Sequence, residues 1–126
     1  MKESGSIVLK DLCYEIMAAA FEVQNTLGPG FLEKVYEKGL AIELARRDFK
    51  VEVQKEIQVF YKGVPAGTYF ADLLVNDEVI VELKATEILS RGHEAQLLNY
   101  LKATGKKLGL LINFGNSKVE YKRFVV

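Results

Sequence analysis

TYFADLLVNDEVIVELKA, running from Thr68 to Ala85, holds two apolar strand candidates, each interrupted by charge where charge is costly. Asp72 sits among Tyr69, Phe70, Ala71, Leu73, Leu74 and Val75. Glu82 and Lys84 sit among Val79, Ile80, Val81, Leu83 and Ala85. Strand side chains alternate between faces, so Glu82 and Lys84 share one. Asn76 and Asp77 are turn formers, and the two runs read as a hairpin. Loop length then sets which residues meet. A two-residue loop at Asn76-Asp77 pairs Val75 with Glu78 and leaves Asp72 opposite Val81. A three-residue loop that includes Glu78 pairs Asp72 with Glu82 and gathers both carboxylates and Lys84 on one surface; a one-residue slip separates the two cases. The second register is favoured because it also sets Val79, Val81 and Leu83 with Tyr69, Ala71, Leu73 and Val75 on one continuous apolar-leaning face.

The flanking segments supply the layers for this hairpin. Leu9, Leu12, Cys13, Ile16, Met17, Ala20, Phe21, Val23 and Leu27 recur at three- and four-residue steps, which predicts a helix over 7–27 with a core-facing stripe. Leu27-Gly28-Pro29-Gly30 stops it. A second helix is expected over 32–47, with Leu32, Val35, Tyr36, Leu40, Ile42 and Leu44 as its apolar positions. Near Asp48 the period changes to two. Val51, Val53, Ile57, Val59 and Tyr61 then alternate with polar neighbours in a strand with one wet face, ended by Lys62-Gly63. After Ala85 a helix is predicted over 91–104, with Leu97, Leu98 and Leu101 inward and Gly105 as its cap. Leu108 to Phe114 (LGLLINF) reads as a buried strand, parallel to 79–85 through a right-handed crossover. Gly115-Asn116 leads into a last strand over about 118–126. The order α-α-β-β-β-α-β-β describes an α/β mixed sheet with helices packed on it, one domain across residues 1–126.

Composition bounds the function classes. At 126 residues the chain suits one domain with a sizeable core. Lys+Arg and Asp+Glu balance at 17 each, so any nucleic-acid contact must come from a local patch. Basic groups occur at Arg46, Arg47 and Lys50, at Lys102, Lys106 and Lys107, and at Lys118, Lys122 and Arg123. Each reads as a solvated end unless one lies beside the carboxylates, where it could position phosphates without reading bases. One cysteine, Cys13, leaves no internal disulfide framework and points to a reducing compartment. The polar start MKESGSIVLK and the lack of any long apolar run point to a cytoplasmic, non-membrane protein. His93 is the lone histidine, read as an exposed helix start, so no histidine metal site or triad can be built around it. Gly28-Pro29-Gly30 fits neither a P-loop nor a dinucleotide fingerprint.

An Asp on one strand and Glu-x-Lys on the next place two carboxylates and an ammonium together. Hard divalent cations take oxygen ligands, and Mg2+ commonly uses one or two carboxylates with water and phosphate oxygens. Such a cation lowers the pKa of a water and offsets charge developing on a phosphoryl group; a nearby Lys can orient the water or stabilise that charge. The competing reading is an ion-paired, solvated face of an edge hairpin. The apolar setting weighs against it, because buried charges need partners or metals. Other residues also carry two readings. Glu33 opens the second helix, where an acid complements the helix dipole. Tyr36, three residues on, shares its face and suits a core aromatic with a bonded hydroxyl. Gln96 and Tyr100, four apart, share a helical face that a plain amphipathic margin would also explain.

Gly30-Phe31-Leu32-Glu33-Lys34-Val35-Tyr36 resembles the signature of the GxxExxY family, which is assigned to the PD-(D/E)XK nuclease superfamily. Asp72 with Glu82-Leu83-Lys84 resembles that superfamily's metal site, with Ala71 where the superfamily's name has proline. Gln96-Leu97-Leu98-Asn99-Tyr100 resembles the Q-x-x-x-Y helix of RecB-like nucleases. The resemblance implies a restriction-endonuclease-like fold, akin also to Holliday-junction resolvases, and attack of metal-activated water on a DNA phosphodiester. It implies Asp72, Glu82 and Glu33 as ligands of Mg2+ or Mn2+, and Lys84 positioning water. It implies Gln96 bonding a site carboxylate or the water, and Tyr36 and Tyr100 on the substrate side. The partner is then nucleic acid, DNA ahead of RNA, and the small size leaves room for a homodimer or a partner protein. The alternative is a catalytically inactive nuclease-like module that binds nucleic acid or another protein, for which neutral net charge speaks.

Overall fold

The computed structural model describes residues 2–126, with side chains from residue 9 onward. Its elements are α1 (Lys2–Leu27), α2 (Glu33–Arg46), β1 (Val51–Tyr61), β2 (Val64–Val75), β3 (Val79–Lys84), α3 (Arg91–Thr104), β4 (Leu108–Asn113) and β5 (Glu120–Val125), the order expected from the sequence. α1 buries Leu12, Cys13, Ile16, Met17, Ala20 and Val23 of the expected stripe, with Leu9 and Leu27 partly buried and Phe21, contrary to expectation, exposed. In α2 the buried line is Tyr36, Leu40 and Leu44, a four-residue step, whereas Leu32, Val35 and Ile42 are exposed, contrary to expectation. α3 turns Leu97, Tyr100 and Leu101 inward and leaves Leu98 largely outside. It begins with a reciprocal cap between Ser90 and His93 and ends at Gly105 in the left-handed conformation, φ 73°.

The five strands lie in the order β1-β2-β3-β4-β5. β3 and β4 are parallel, joined through α3; the other neighbours are antiparallel. One apolar layer lies between the sheet and α1 with α2 and includes Leu73, Val75, Val81, Leu83, Leu110 and Phe114. The second lies under α3 and includes Ile57, Ala71, Leu74, Ile80 and Leu111. β3 and β4 are buried on both faces apart from Lys84, which is half-buried, as central parallel strands require. α3 comes close because β4 offers Gly109 beneath it. A Cβ there would stand 2.9 Å from the Leu97 Cδ1 and 3.1 Å from the Leu101 Cδ1.

Leu73 pairs with Val81, Leu74 with Ile80 and Val75 with Val79, so the β2–β3 loop has three residues. Asn76 and Asp77 take positive φ, 52° and 57°, and the Glu78 N–H donates to the Val75 carbonyl at 3.0 Å. The register that aligns Asp72 with Glu82 is therefore the one formed.

The continuous apolar face expected along β2 is not. Leu73 and Val75 pack toward α1 and α2, but Ala71 packs under α3 and the Tyr69 ring lies 6.0 Å from that of Tyr100. β1 changes face likewise: Val51 packs on the α1–α2 side and Ile57 on the α3 side. Between them Gln54 has φ 52°, a left-handed residue inside a strand, across from Asp72 in the register. One residue out of the extended conformation breaks the two-residue alternation on which the expectation rested. Past Ala71, β1 and β2 continue as a two-stranded arm to the Lys62-Gly63 turn, both of whose residues have positive φ. Phe60, Tyr61, Val64, Tyr69 and Phe70 are all more than half exposed on it. No described helix is long and apolar enough to cross a membrane.

Candidate active site

β2 and β3 stop pairing through their backbones after Leu73 and Val81, and two side chains continue the ladder. The Asp72 N–H donates to the Glu82 Oε1 at 2.9 Å, and the Leu83 N–H donates to the Asp72 Oδ2 at 2.8 Å. Each carboxylate thus occupies the place of a strand carbonyl. The strands spread, and both acids are held by main-chain donors that cannot swing away. Glu82 is 3% exposed and Asp72 half-buried.

That burial has an electrostatic consequence. The Glu82 carboxyl is pushed up to about 8, first by removal from water and then by the charge of Asp72. Asp72 is also raised, chiefly by burial, which outweighs the Leu83 N–H bond, and Glu37 adds to the rise. The Lys84 ammonium pulls Glu33, Asp72 and Glu82 the other way, yet among the described residues it forms no ion pair with any of them. Lys84 is positioned by its backbone: its carbonyl accepts from the Phe114 N–H at 2.8 Å. The chain just beyond is clamped by fully buried Asn113, which accepts from the Thr86 N–H at 3.0 Å and donates to the Thr86 carbonyl at 2.8 Å.

The helical layer brings Glu33 to the same place. Gly28 and Gly30 have φ 72° and 104°, values that side chains resist, and turn the chain between α1 and α2. The Tyr36 hydroxyl fastens this loop. It donates to the Gly28 carbonyl at 2.6 Å and accepts from the Phe31 N–H at 3.2 Å, while its ring stacks on Phe114 at 4.9 Å. With no exposed surface and both hydroxyl functions used, Tyr36 cannot meet a substrate, contrary to the role the resemblance implied. Its task is to fix the start of α2, and so Glu33 in the first turn. Glu33 is raised by burial and, less, by Asp72 and Glu37, against the pull of Lys84.

From α3, Tyr100 reaches toward the acids. Its phenol is raised by burial and by the charges of Glu82 and Asp72, with Gln96 bonded against it. Gln96 makes no hydrogen bond to Asp72 or Glu82. His93 stands at the start of α3, as expected, but is half-buried there, its Nδ1 accepting from the Ser90 N–H. Two side chains absent from the sequence reading join the site: Glu37, 4% exposed, and Gln54, whose Nε2 donates to Glu37 and Asp72. The step from Glu33 to Glu37 was the available signal, since residues four apart share a helix face.

Asp72 and Glu82 form no ion pair among the described residues, and an all-oxygen donor set of this kind suits a hard divalent cation. No three described His, Cys, Asp or Glu side chains converge as a ready-made metal cage. Glu33 therefore stands at the rim, and the set fits a cation that takes two carboxylates and fills its remaining positions from water and substrate.

A profile described as PD-(D/E)XK nuclease superfamily matches residues 10–124. The chain belongs to the PD-(D/E)XK nuclease superfamily. Nucleases of this superfamily generally use divalent metals and act on nucleic acid. Asp72, Glu82 and Lys84 have the spacing its name describes, with Ala71 in place of the proline. Among solved structures, that of SSO0001 is similar, with a TM-score of 0.49 and 15% identity, over 92% of this chain and 62% of that one. The chain thus spans about three-fifths of the length of that protein. A search of curated proteins gives no match.

Proposed function

We propose that this protein is a divalent-metal-dependent nuclease of the GxxExxY type that hydrolyses DNA phosphodiester bonds. The observation that carries the reading is the pair of carboxylates, half-buried Asp72 and buried Glu82, fixed by each other's strands and held above the usual carboxylate range chiefly by removal from water. Asp72 and Glu82 would hold Mg2+ or Mn2+, which supplies Lewis acidity toward phosphoryl oxygen and makes water a better nucleophile near neutral pH. Lys84, which makes no ion pair among the described residues, orients the attacking water and offsets charge on the phosphoryl oxygens. Glu33 adds a third carboxylate from the rim. Gln96 orients the Tyr100 phenol, which faces a backbone phosphate. The Lys34 ammonium, bonded to Glu37 and largely in water, stands where it can meet the incoming strand. Gly30, Glu33 and Tyr36 acquire a shared reason: the turn, the acid it presents, and the hydroxyl that secures the turn.

A cleavage assay on single-stranded, duplex and branched DNA with Mg2+ or Mn2+ tests this. Cleavage is expected in the intact chain and lost in Lys84→Ala and Asp72→Ala. Equal cleavage in all three would assign the activity elsewhere. Nucleic-acid binding without metal affinity or cleavage would favour an inactive binding module. Sedimentation of the intact chain, alone and with DNA, shows whether it works as a homodimer.

A further inference from the structure

We propose that Gln54 and Glu37 are positioning residues for Asp72, with Glu37 acting through Gln54; the proposal rests on Asp72 being a metal ligand. The Gln54 Nε2 donates to the Glu37 Oε1 at 2.9 Å and to the Asp72 Oδ1 at 3.3 Å. A primary amide nitrogen carries two N–H groups, and here one serves each acid. Because the Leu83 N–H holds the Asp72 Oδ2, both oxygens of Asp72 have a fixed donor and the carboxylate plane is set. Glu37 decides which end of the Gln54 amide points inward. An ionised carboxylate only accepts, so beside Glu37 the amide must present nitrogen, and its own oxygen is kept away from Asp72. Glu37 is itself locked, 4% exposed, with its Oε2 accepting from the Lys34 Nζ at 3.1 Å.

The backbone supports the same assignment. Gln54 lies in the middle of β1 with φ 52°, a conformation that a side-chain-bearing residue adopts inside a strand only where the surroundings enforce it. This is the point at which β1 and β2 change face, and the change brings the Gln54 amide between the acid of β2 and the acid of α2. The relay runs from Lys34 through Glu37 and Gln54 to Asp72. Partners of this kind orient ligands and commonly change metal affinity about 10–100-fold when lost.

The experiment is a calorimetric titration with Mn2+ of the intact chain, Gln54→Met, Glu37→Gln and the double variant, with melting in EDTA alongside. Gln54→Met keeps the length and removes the donor, and is expected to weaken Mn2+ binding about tenfold. Glu37→Gln keeps the shape and is expected to weaken it about threefold, and to add nothing in the Gln54→Met background. Additive losses would overturn the relay, since Glu37 would then act by its charge alone. Lower melting in EDTA with unchanged Mn2+ affinity would show a role confined to the fold, and would also overturn it. Should Gln54→Met not fold, Glu37→Gln decides by itself: unchanged affinity refutes the proposal. An intact chain that binds no Mn2+ removes the metal reading and this inference with it, an outcome distinct from variants that bind as well as the intact chain.

Discussion

Replacing Glu82 by glutamine should make the protein more stable in alkaline solution while removing its affinity for metal. The carboxyl rises from 4.5 to about 8 on folding, because burial and Asp72 disfavour its charge. Between those values the unfolded chain has released a proton that the native site still holds. The associated stability is complete below pH 4.5 and is lost as the pH climbs through about 8. Each tenfold change in proton affinity corresponds to about 1.4 kcal/mol, so the rise is worth at most about 5 kcal/mol. Relaxation around the charged form leaves an expected gain of about 2–4 kcal/mol for Glu82→Gln at pH 9, roughly 10 °C in melting temperature. The replacement amide still offers an oxygen to the Asp72 N–H, so the strand connection survives. The assay is thermal unfolding by circular dichroism in EDTA at pH 5, 7 and 9. The two proteins should agree at pH 5 and diverge above it, with the intact chain falling faster. Mn2+ at a hundred times its dissociation constant should restore about 2.7 kcal/mol to the intact chain at pH 8 and nothing to the variant. Parallel curves across that range would refute the reasoning, because they would mean that Glu82 ionises in the folded state as easily as in the unfolded one.

Lys84→Ala should lower cleavage at least about 100-fold in a steady-state assay, because it removes the cation proposed to offset charge on the phosphoryl oxygens. Tyr36→Phe should cost about 1–2 kcal/mol in urea unfolding, since the Gly28 carbonyl and the Phe31 N–H lose their shared partner; an unchanged midpoint would show that the hydroxyl secures nothing. Gly109→Val should destabilise by about 1–3 kcal/mol, because even its first carbon falls 2.9 Å from Leu97. Asn113→Leu should cost roughly 2–4 kcal/mol by stranding the Thr86 and Gly115 N–H groups and the Thr86 carbonyl, and chemical denaturation measures it.

The elements were legible because their signals are local. A helix stripe such as that of α1, the Gly105 cap and the unbroken apolar run of β4 need no partner to be recognised. The hairpin register was legible for a second reason: one loop length put two charges together and the other put one of them against Val81. What escaped was tertiary. The left-handed Gln54 breaks strand alternation, and nothing in its own sequence neighbourhood forces that; the enforcing groups are Glu37 on α2 and Asp72 on β2. Tyr36 shows the opposite case. Its own residue type and helix position point to a core aromatic with a bonded hydroxyl, which is what forms, with the Gly28 carbonyl and the Phe31 N–H as partners; the substrate contact that the family resemblance implies is what the burial overturns. Leu98 stays partly exposed while Tyr100 packs inward, because where α3 sits over Gly109, rather than hydrophobicity alone, decides which side chains fit beneath it.

The exposed β1–β2 arm has a mechanical meaning. β3 pairs with β2 through the backbone only from Leu73 to Val75, and α3 supports the arm near Ile57 and Tyr69, so the tip toward Lys62 and Gly63 is braced by its sister strand alone. Asp72 sits at the root of that arm, next to the last β2–β3 backbone pair. A sideways push on the tip, by a nucleic-acid strand or by another protein, would reach the sheet beside Asp72, where Leu83, Gln54 and Glu82 hold the acid and its N–H against it.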